Sequence, residues 1–377
     1  MANNNENKIL NVPHLRFPEF SGEWKKCKLG DLCNVLMCKR ILVSQTNTED
    51  GVPFYKIGTI GSTPDAYISK ELFDDYKVKY NYPRKGEVMI TCAGTVGKCV
   101  VYDGEDAYFQ DSNIVWIDNP TQYISNGFLF HLLSKVDWRK LNSTTIIRIY
   151  NDDLRNLKMS YPRKEEQQKI SHLLSLLDER IATQNKIIED LKKLKSAISE
   201  RLFNAIKGDV VVLEDIGDVV KGKQINGEFL SESGKYYVMN GGIEPSGFYN
   251  DYNVEANTIS ISEGGNSCGY VQFNACPFWS GGHCYTIQNT TDNVKTEYLY
   301  QFLKSKESEI MKLRIGSGLP NIQKKDLAKF KLTIPNISEQ KVISAFLSSF
   351  ERKADVEMNF VNLLLEEKQY LLRQMFI

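Results

Sequence analysis

Residues 162–181 read PRKEEQQKISHLLSLLDERI, and residues 335–354 read PNISEQKVISAFLSSFERKA. The two stretches align at an offset of 173 (335 minus 162), which places Glu166-Gln167 on Glu339-Gln340. After each proline the chain contains no further glycine or proline until about residue 204 in the first copy and until the end in the second. Because glycine and proline interrupt helices, this pattern predicts two long helices with a common origin.

Apolar residues recur in both stretches at alternating intervals of four and three, which is the spacing of a coiled-coil seam. The predicted seam positions are Ile170, Leu174, Leu177, Ile181, Gln184, Ile188 and Leu191 in the first copy, and Ile343, Leu347, Phe350, Glu357, Val361 and Leu364 in the second. Gln184 and Glu357 interrupt the seam at equivalent places, and polar residues at such positions set register. We predict that the helices pack antiparallel as a rod of roughly 60 Å. The alternative is that each stripe is buried against its own domain.

The segments before the two helices are duplicated as well. Leu29-Gly30-Asp31-Leu32 aligns with Leu213-Glu214-Asp215-Ile216, and Phe128-Leu129-Phe130 aligns with Tyr298-Leu299-Tyr300. Short β-rich runs alternate with glycine-rich turns in both copies, which predicts mixed α/β domains. The predicted order is a first domain over 1–160, a long helix over 161–206, a second domain over 207–335 and a long helix over 336–377. The predicted fold class is α+β, with two similar domains separated by two long helices that form an antiparallel coiled coil with pseudo-twofold symmetry.

Composition excludes several classes of protein. The 377 residues include 47 basic and 47 acidic side chains, so a polyelectrolyte that binds nucleic acid by bulk charge is excluded. No apolar run is long enough to span a membrane, and the first residues lack the pattern of a secretory signal, so we expect a cytoplasmic protein. None of the eight cysteines forms Cys-x-x-Cys. We expect reduced thiols and no metal site, since Cys276, His283 and Cys284 have a spacing that zinc sites rarely use.

Motifs for catalysis are scarce in the sequence. There is no Gly-x-x-x-x-Gly-Lys-Ser/Thr phosphate loop and no Asn/Asp-Pro-Pro-Tyr/Phe signature of adenine methyltransferases. Asp65, Asp75 and Lys77 fit the loose pattern of a metal-dependent nuclease, in which two carboxylates hold Mg²⁺ and a lysine acts on water. This pattern is short and recurs by chance, so we expect no catalytic residue in the chain.

The chain resembles the specificity (S) subunit of type I restriction–modification enzymes over nearly its whole length. Residues 13–20 (PHLRFPEF) followed by Trp24 are similar to the N-terminal signature of that family, and residues 28–32 are similar to the start of a target-recognition domain. The Glu-Gln helix starts at 162–178 and 335–350, and the C-terminal end at 371–377, complete the resemblance.

The resemblance implies a subunit without catalytic activity. Each target-recognition domain would read one half of a bipartite double-stranded DNA target, and the helices would set the spacer and dock two methyltransferase subunits, which restriction subunits then join. S-adenosylmethionine, ATP and Mg²⁺ would belong to those partners, with no cofactor in this chain and no membrane partner. The alternatives are a protein-interaction scaffold without a nucleic-acid role and, with less support, a standalone Mg²⁺-dependent nuclease.

Residue type and loop context indicate the DNA-contacting side chains, since Arg, Lys, Asn and Gln read base edges and Lys also holds phosphates. The candidates in the first domain are Lys39, Arg40, Lys56, Arg84, Lys98, Arg148 and Tyr150. The candidates in the second domain are Lys221, Lys223, Gln224, Asn240, Asn266, His283, Arg314, Asn321 and Lys324. A second apolar line on the helices (Leu173, Ile187, Leu194, Phe346, Phe360 and Leu365) is a candidate surface for a docked partner helix.

Overall fold

The structure, a computed structural model, describes residues 10–141, 148–316, 318 and 320–377. The chain divides into two compact units. Unit 1 consists of residues 1–183 and 361–377, and unit 2 consists of residues 184–360. Each unit therefore holds one α/β domain together with part of both long helices.

Unit 1 contains nine strands and four short helices within the described residues, followed by the first long helix. The strands are β1 (Lys25–Lys28), β2 (Asn34–Leu36), β3 (Val52–Tyr55), β4 (Tyr67–Ile68), β5 (Val88–Thr91), β6 (Cys99–Val101), β7 (Tyr108–Phe109), β8 (Ile114–Asp118) and β9 (Lys158–Tyr161). The helices are α1 (Lys70–Lys79), α2 (Asn126–Lys135), α3 (Trp138–Leu141), α4 (Asn151–Arg155) and the start of α5 (Lys164–Ala205).

Unit 2 repeats the order of the strands, but among its described residues no helix lies between β13 and β14, where unit 1 has α1. Its strands are β10 (Asp209–Val212), β11 (Asp218–Lys221), β12 (Tyr236–Met239), β13 (Gly247–Tyr249), β14 (Thr258–Ser262), β15 (Val271–Asn274), β16 (Trp279–Ser280), β17 (Cys284–Gln288) and β18 (Lys331–Ile334). Its helices are α6 (Leu213–Ile216), α7 (Thr296–Ser305), α8 (Glu307–Met311), α9 (Lys324–Ala328) and most of α10 (Ile337–Met375).

The strands of the two units pair in the same topology. Each unit has a four-stranded antiparallel sheet, in the order β2-β8-β5-β6 or β11-β17-β14-β15. Each also has a three-stranded sheet whose middle strand, β3 or β12, runs parallel to β7 or β16 and antiparallel to β4 or β13. A two-stranded ribbon, β1-β9 or β10-β18, leads into the long helix. The predicted duplication and mixed α/β class are confirmed.

A buried glutamine at the start of each long helix holds the α/β domain in place. The Oε1 atom of Gln167 accepts the backbone N–H of Ser125 at 2.7 Å, and the Oε1 atom of Gln340 accepts that of Lys295 at 2.8 Å. These N–H groups lie at the N-cap positions of α2 and α7. Both amide nitrogens donate to backbone carbonyls on either side, which fixes the side chains fully. The Glu-Gln pattern thus marks the place where the domain is hydrogen-bonded to the start of the long helix.

The long helices run antiparallel where they meet within each unit. In unit 2, Gln184 contacts Glu357, and Lys195 pairs with Glu351, so the partner number falls as the chain advances along α5. In unit 1, Asp178 pairs with Lys368, while Ile170 shares a core with Met375 farther along α10. The predicted antiparallel direction is therefore present in both units.

The predicted seam residues are buried or half-buried at every position. The buried ones are Ile170, Leu174, Gln184, Ile188, Leu347, Glu357, Val361 and Leu364, and the half-buried ones are Leu177, Ile181, Leu191, Ile343 and Phe350. Ile170 and Leu174 also belong to the core of the first domain, and Leu347 belongs to the core of the second. The helix pair and the domains thus share their cores, which combines the two packing schemes that the sequence left open.

Candidate nucleic-acid interface

In each unit, one end of the four-stranded sheet gathers polar side chains around a short turn. The turn in unit 1 joins β7 to β8 (residues 110–113), and the turn in unit 2 joins β16 to β17 (residues 281–283). A segment from later in the chain, starting at Arg148 or Asn321, reaches the same end of the sheet. Its next residue donates a backbone N–H to the carbonyl of Cys92 at 2.9 Å or of Glu263 at 2.8 Å. We call these two ends rim 1 and rim 2.

Rim 1 brings two of the predicted arginines to the same turn. The Nε atom of Arg40 donates to Asp111 at 2.8 Å, and the Nη2 atom of Arg148 donates to the carbonyl of Ser112 at 3.1 Å. The Arg148 guanidinium lies 6.0 Å from the ring centre of Tyr150, which is exposed. Two guanidinium groups and an aromatic ring are thus presented together, a combination suited to phosphate and base contacts.

Lys56 and Lys98 lie beside rim 1, Lys56 directly after β3 of the three-stranded sheet and Lys98 directly before β6 of the four-stranded sheet. The Nζ atom of Lys56 pairs with Asp65 at 2.8 Å, and that of Lys98 donates to the carbonyl of Ile60. Lys39 stands farther along the surface, 5.4 Å from the ring centre of Tyr80.

Arg84 lies at the opposite end of the sheet from rim 1. It pairs with Glu87, just before β5, and with Asp118, the last residue of β8. Strands β5 and β8 are antiparallel, so these residues and Cys92 occupy opposite ends of the ladder. The structure therefore separates Arg84 from the other predicted contacts of the first domain.

Rim 2 is built around a buried carboxylate that the sequence analysis missed. Glu263 directly follows β14 and is 6% exposed. Its Oε1 atom accepts hydrogen bonds from Lys221 at 2.6 Å and from the hydroxyl of Tyr285 at 2.9 Å, and its Oε2 atom lies 3.5 Å from Nδ1 of His283. Burial and the Glu263 carboxylate both raise the pKa of Tyr285, which therefore stays a hydroxyl donor. One carboxylate thus positions two predicted contact residues.

Two glycines bring further candidates close to the turn of rim 2. A Cβ atom on Gly281 would lie 2.6 Å from Oδ1 of Asn240, and a Cβ atom on Gly282 would lie 2.5 Å from Oε1 of Gln224. Only glycine permits these approaches. The Asn240 oxygen also accepts the backbone N–H of His283 at 3.2 Å.

The other candidates of the second domain border rim 2. The backbone of Lys223 donates to Ser280 at 2.8 Å, and Asn321 exchanges backbone hydrogen bonds with Ile315, which follows Arg314. Asn266 is exposed in the loop between β14 and β15, and Lys324 is exposed at the start of α9.

The residues considered for metal chemistry do not come together in the structure. Asp65, Asp75 and Lys77 face three different partners, with Asp75 paired to Lys79 at 2.6 Å and Lys77 paired to Asp106 at 2.9 Å. Cys276 is exposed, whereas Cys284 is buried and its burial raises the pKa of its thiol to about 11. Within the described ranges, no three His, Cys, Asp or Glu side chains come together as metal ligands.

None of the helices within those ranges combines the length and apolar character that crossing a bilayer needs.

Comparison with known proteins identifies the family. The model of the type I restriction modification DNA specificity domain matches residues 21–193 and again residues 207–364. A putative type I restriction enzyme specificity subunit of Haemophilus influenzae is 46% identical over 184 residues, which cover 49% of this chain and 45% of that protein. The matched region thus spans about half the length of this relative. A putative type I restriction enzyme specificity subunit of Methanocaldococcus jannaschii is 22% identical over 90% of this chain and 89% of its own.

A solved structure has the same fold. The crystal structure of a type I restriction–modification S subunit from Mycoplasma genitalium superposes with a TM-score of 0.64 at 20% identity, covering 97% of this chain and 99% of that one. Since the family model matches both halves of the duplicated sequence, this chain belongs to the family of the type I restriction modification DNA specificity domain.

Proposed function

We propose that this chain is the DNA sequence-recognition subunit of a type I restriction–modification complex, with no catalytic site of its own. The observation that supports this most directly is that the family model matches the chain twice and that each match carries a polar rim at the same end of the same sheet. Each domain would read one half of a bipartite double-stranded DNA target.

The chemistry of the rims favours different contacts in the two half-sites. Rim 1 offers the guanidinium groups of Arg40 and Arg148, and arginine forms bidentate contacts with guanine and with phosphate. Rim 2 offers the amides of Asn240 and Asn321, which suit adenine, beside the Lys221 ammonium that Glu263 holds. Diverged rims on one fold would allow the two half-sites to differ in sequence.

The exposed apolar line on the long helices supports docking of methyltransferase subunits. In unit 2, Ile187, Leu194 and Phe346 are 39–50% exposed, although each lies on a helix whose seam is already covered. A two-helix seam leaves such a line unused, whereas a third helix would bury it. We propose that two methyltransferase subunits bind here, that restriction subunits join them, and that S-adenosylmethionine, ATP and Mg²⁺ are bound by those partners in the cytoplasm.

The test is methylation by the assembled complex. This chain would be purified with its cognate methyltransferase subunits and incubated with S-adenosylmethionine and genomic DNA, and the methylated bases would be mapped by sequencing. We expect methylation within two short, unlike sequences separated by a spacer of constant length. A footprint should show two protected patches with an open spacer between them. Methylation without any sequence preference would contradict the proposal and favour a scaffold role.

A further inference from the structure

A polar cluster joins each α/β domain to both long helices of its unit. Each cluster is centred on one lysine, Lys195 in unit 2 and Lys368 in unit 1. The two lysines occupy equivalent positions in α5 and α10 (368 minus 195 is 173). Lys195 pairs with Glu351 at 2.7 Å in unit 2, and Lys368 pairs with Asp178 in unit 1. Each lysine side chain is 16% exposed. A lysine so nearly buried needs a partner, and here the partner always comes from the opposite helix.

The domain of unit 2 contributes its own donors to this pair. The Nε2 atom of Gln301, on α7, donates to Glu351 at 2.9 Å and lies 3.3 Å from Oγ of Ser348. The hydroxyl of Tyr300 donates to the same carboxylate at 3.1 Å. Gln301 is 1% exposed and the Glu351 side chain is 32% exposed, so these bonds lie at the edge of the buried core. A single carboxylate on α10 thus binds α5 and the recognition domain at once.

The domain of unit 1 has a histidine at the equivalent place. His131, on α2, is 0% exposed, and its Nε2 atom lies 3.5 Å from Oγ of Ser175, the counterpart of Ser348. The electrostatic neighbours of its ring are Asp178 and Lys368. The two clusters therefore consist of equivalent residues that bond differently. The carboxamide of Gln301 donates to the carboxylate itself, whereas the imidazole of His131 contacts the neighbouring serine.

We propose that these two clusters, the junctions, are positioning sites that set the orientation in which each recognition domain is held on the helix pair, and thereby the spacing between half-sites. The inference rests on the proposed function and assigns to Lys195 and Lys368 a role that the helix length alone does not supply. Apolar contacts tolerate rotation and sliding, whereas directional bonds among three elements specify one arrangement.

The experiment measures spacer discrimination by the methyltransferase complex that contains the full chain. Substrates would carry both half-sites with the natural spacer or with one base pair added or removed. We expect Lys195→Met and Lys368→Met to keep the half-site sequences but to lower the preference for the natural spacer by about tenfold, the loss of one decade in an equilibrium ratio. The control is Lys193→Met, which removes an exposed cation paired with Glu189 two residues from Lys195, and its spacer preference should equal that of the wild type.

A second variant covers the case in which a single substitution prevents folding. Asp178→Leu combined with Lys368→Met removes both charges of one junction, a change that buried pairs often tolerate. It should fold and show the same relaxed spacing. Unchanged spacer preference in a folded junction variant would overturn the positioning role. Absence of any bipartite preference in the wild-type complex would overturn the proposed function instead.

Discussion

The central strands of the two four-stranded sheets end in different chemistry. Strand β5 leads into Cys92, a buried thiol whose pKa is raised to about 12 by its burial, while β14 leads into Glu263, a buried carboxylate with three polar neighbours. Rim 1 carries arginines held by the half-buried Asp111 and by a backbone carbonyl, and rim 2 carries the Lys221 ammonium held by one internal carboxylate. The duplicated scaffold thus keeps its backbone hydrogen bonds while the side chains at its rims differ.

The largest expected difference between the rims follows from removing that anion. We expect Glu263→Ala to lower the free energy of unfolding by about 2 kcal/mol, because the Tyr285 hydroxyl keeps the Ile322 carbonyl as its acceptor but loses the carboxylate, which also binds the half-exposed Lys221 ammonium. It should also abolish the preference of the complex for the half-site read by the second domain. The equivalent change, Cys92→Ala, should cost about 1 kcal/mol and leave both half-sites intact. Equal losses of unfolding free energy for the two variants, measured by urea denaturation, would contradict this difference between the rims.

A difference of similar size concerns pH at the two junctions. Burial lowers the pKa of His131 from 6.5 to about 4. The Asp178 carboxylate opposes this shift, and the Lys368 ammonium lowers the pKa further. Below pH 6.5 the unfolded chain therefore binds a proton that the folded chain excludes, and stability falls until about pH 4, by roughly 3 kcal/mol in total.

Gln301 occupies the same place in unit 2 and does not titrate, so His131→Gln should remove this part of the pH dependence. The measurement is thermal unfolding of wild type and variant across pH 4 to pH 7. The difference between the unfolding temperatures of the two proteins should grow as the pH falls. A difference that stays constant with pH would contradict a lowered pKa of His131 in the folded chain.

The smallest expected effects separate two arginines of the first domain. Arg148→Ala should weaken discrimination at one base position of the first half-site by about 1–3 kcal/mol, since the guanidinium lies on rim 1. Arg84→Ala should destabilise the domain through loss of the partner of buried Glu87 but leave half-site preference unchanged. Competition binding with single-base variants of the target distinguishes them. A base-specific loss for Arg84→Ala would mean that the opposite end of the sheet also meets DNA.

Much of the architecture could be read from local patterns. The glycine-free stretches and the 3-4 spacing predicted both long helices. In the structure Asn336 caps α10, since its Oδ1 atom accepts the N–H of Glu339 at 3.0 Å. The repeat offsets located equivalent strands because a duplicated fold keeps the same buried positions. Whether each stripe packed on the other helix or on its own domain stayed open, and the structure shows both, because Ile170 and Leu347 belong to domain cores.

The candidate site was predictable only in part. Residue type selected Arg40, Arg148 and Asn240, which the structure places at the two rims, and it also selected Arg84, which long-range strand pairing carries to the other end of the sheet. The sequence did not indicate Glu263, because a single carboxylate after an apolar strand has no periodic or compositional signal. The local sequence offers one weak signal, the Glu-Gly-Gly sequence at 263–265 directly after β14.

The amino-acid sequence by itself determined the duplication, the helix pair and the family, since these follow from short-range spacing that repeats along the chain. Only the tertiary structure decided which polar side chains meet. Lys221, Glu263, His283 and Asn321 lie far apart in sequence and gather at rim 2, and Lys195 finds Glu351 and Gln301 only after both helices dock on the domain. The physical reason is that hydrogen bonds and ion pairs act over about 3 Å, a distance that strand register and helix packing set and that linear spacing does not encode.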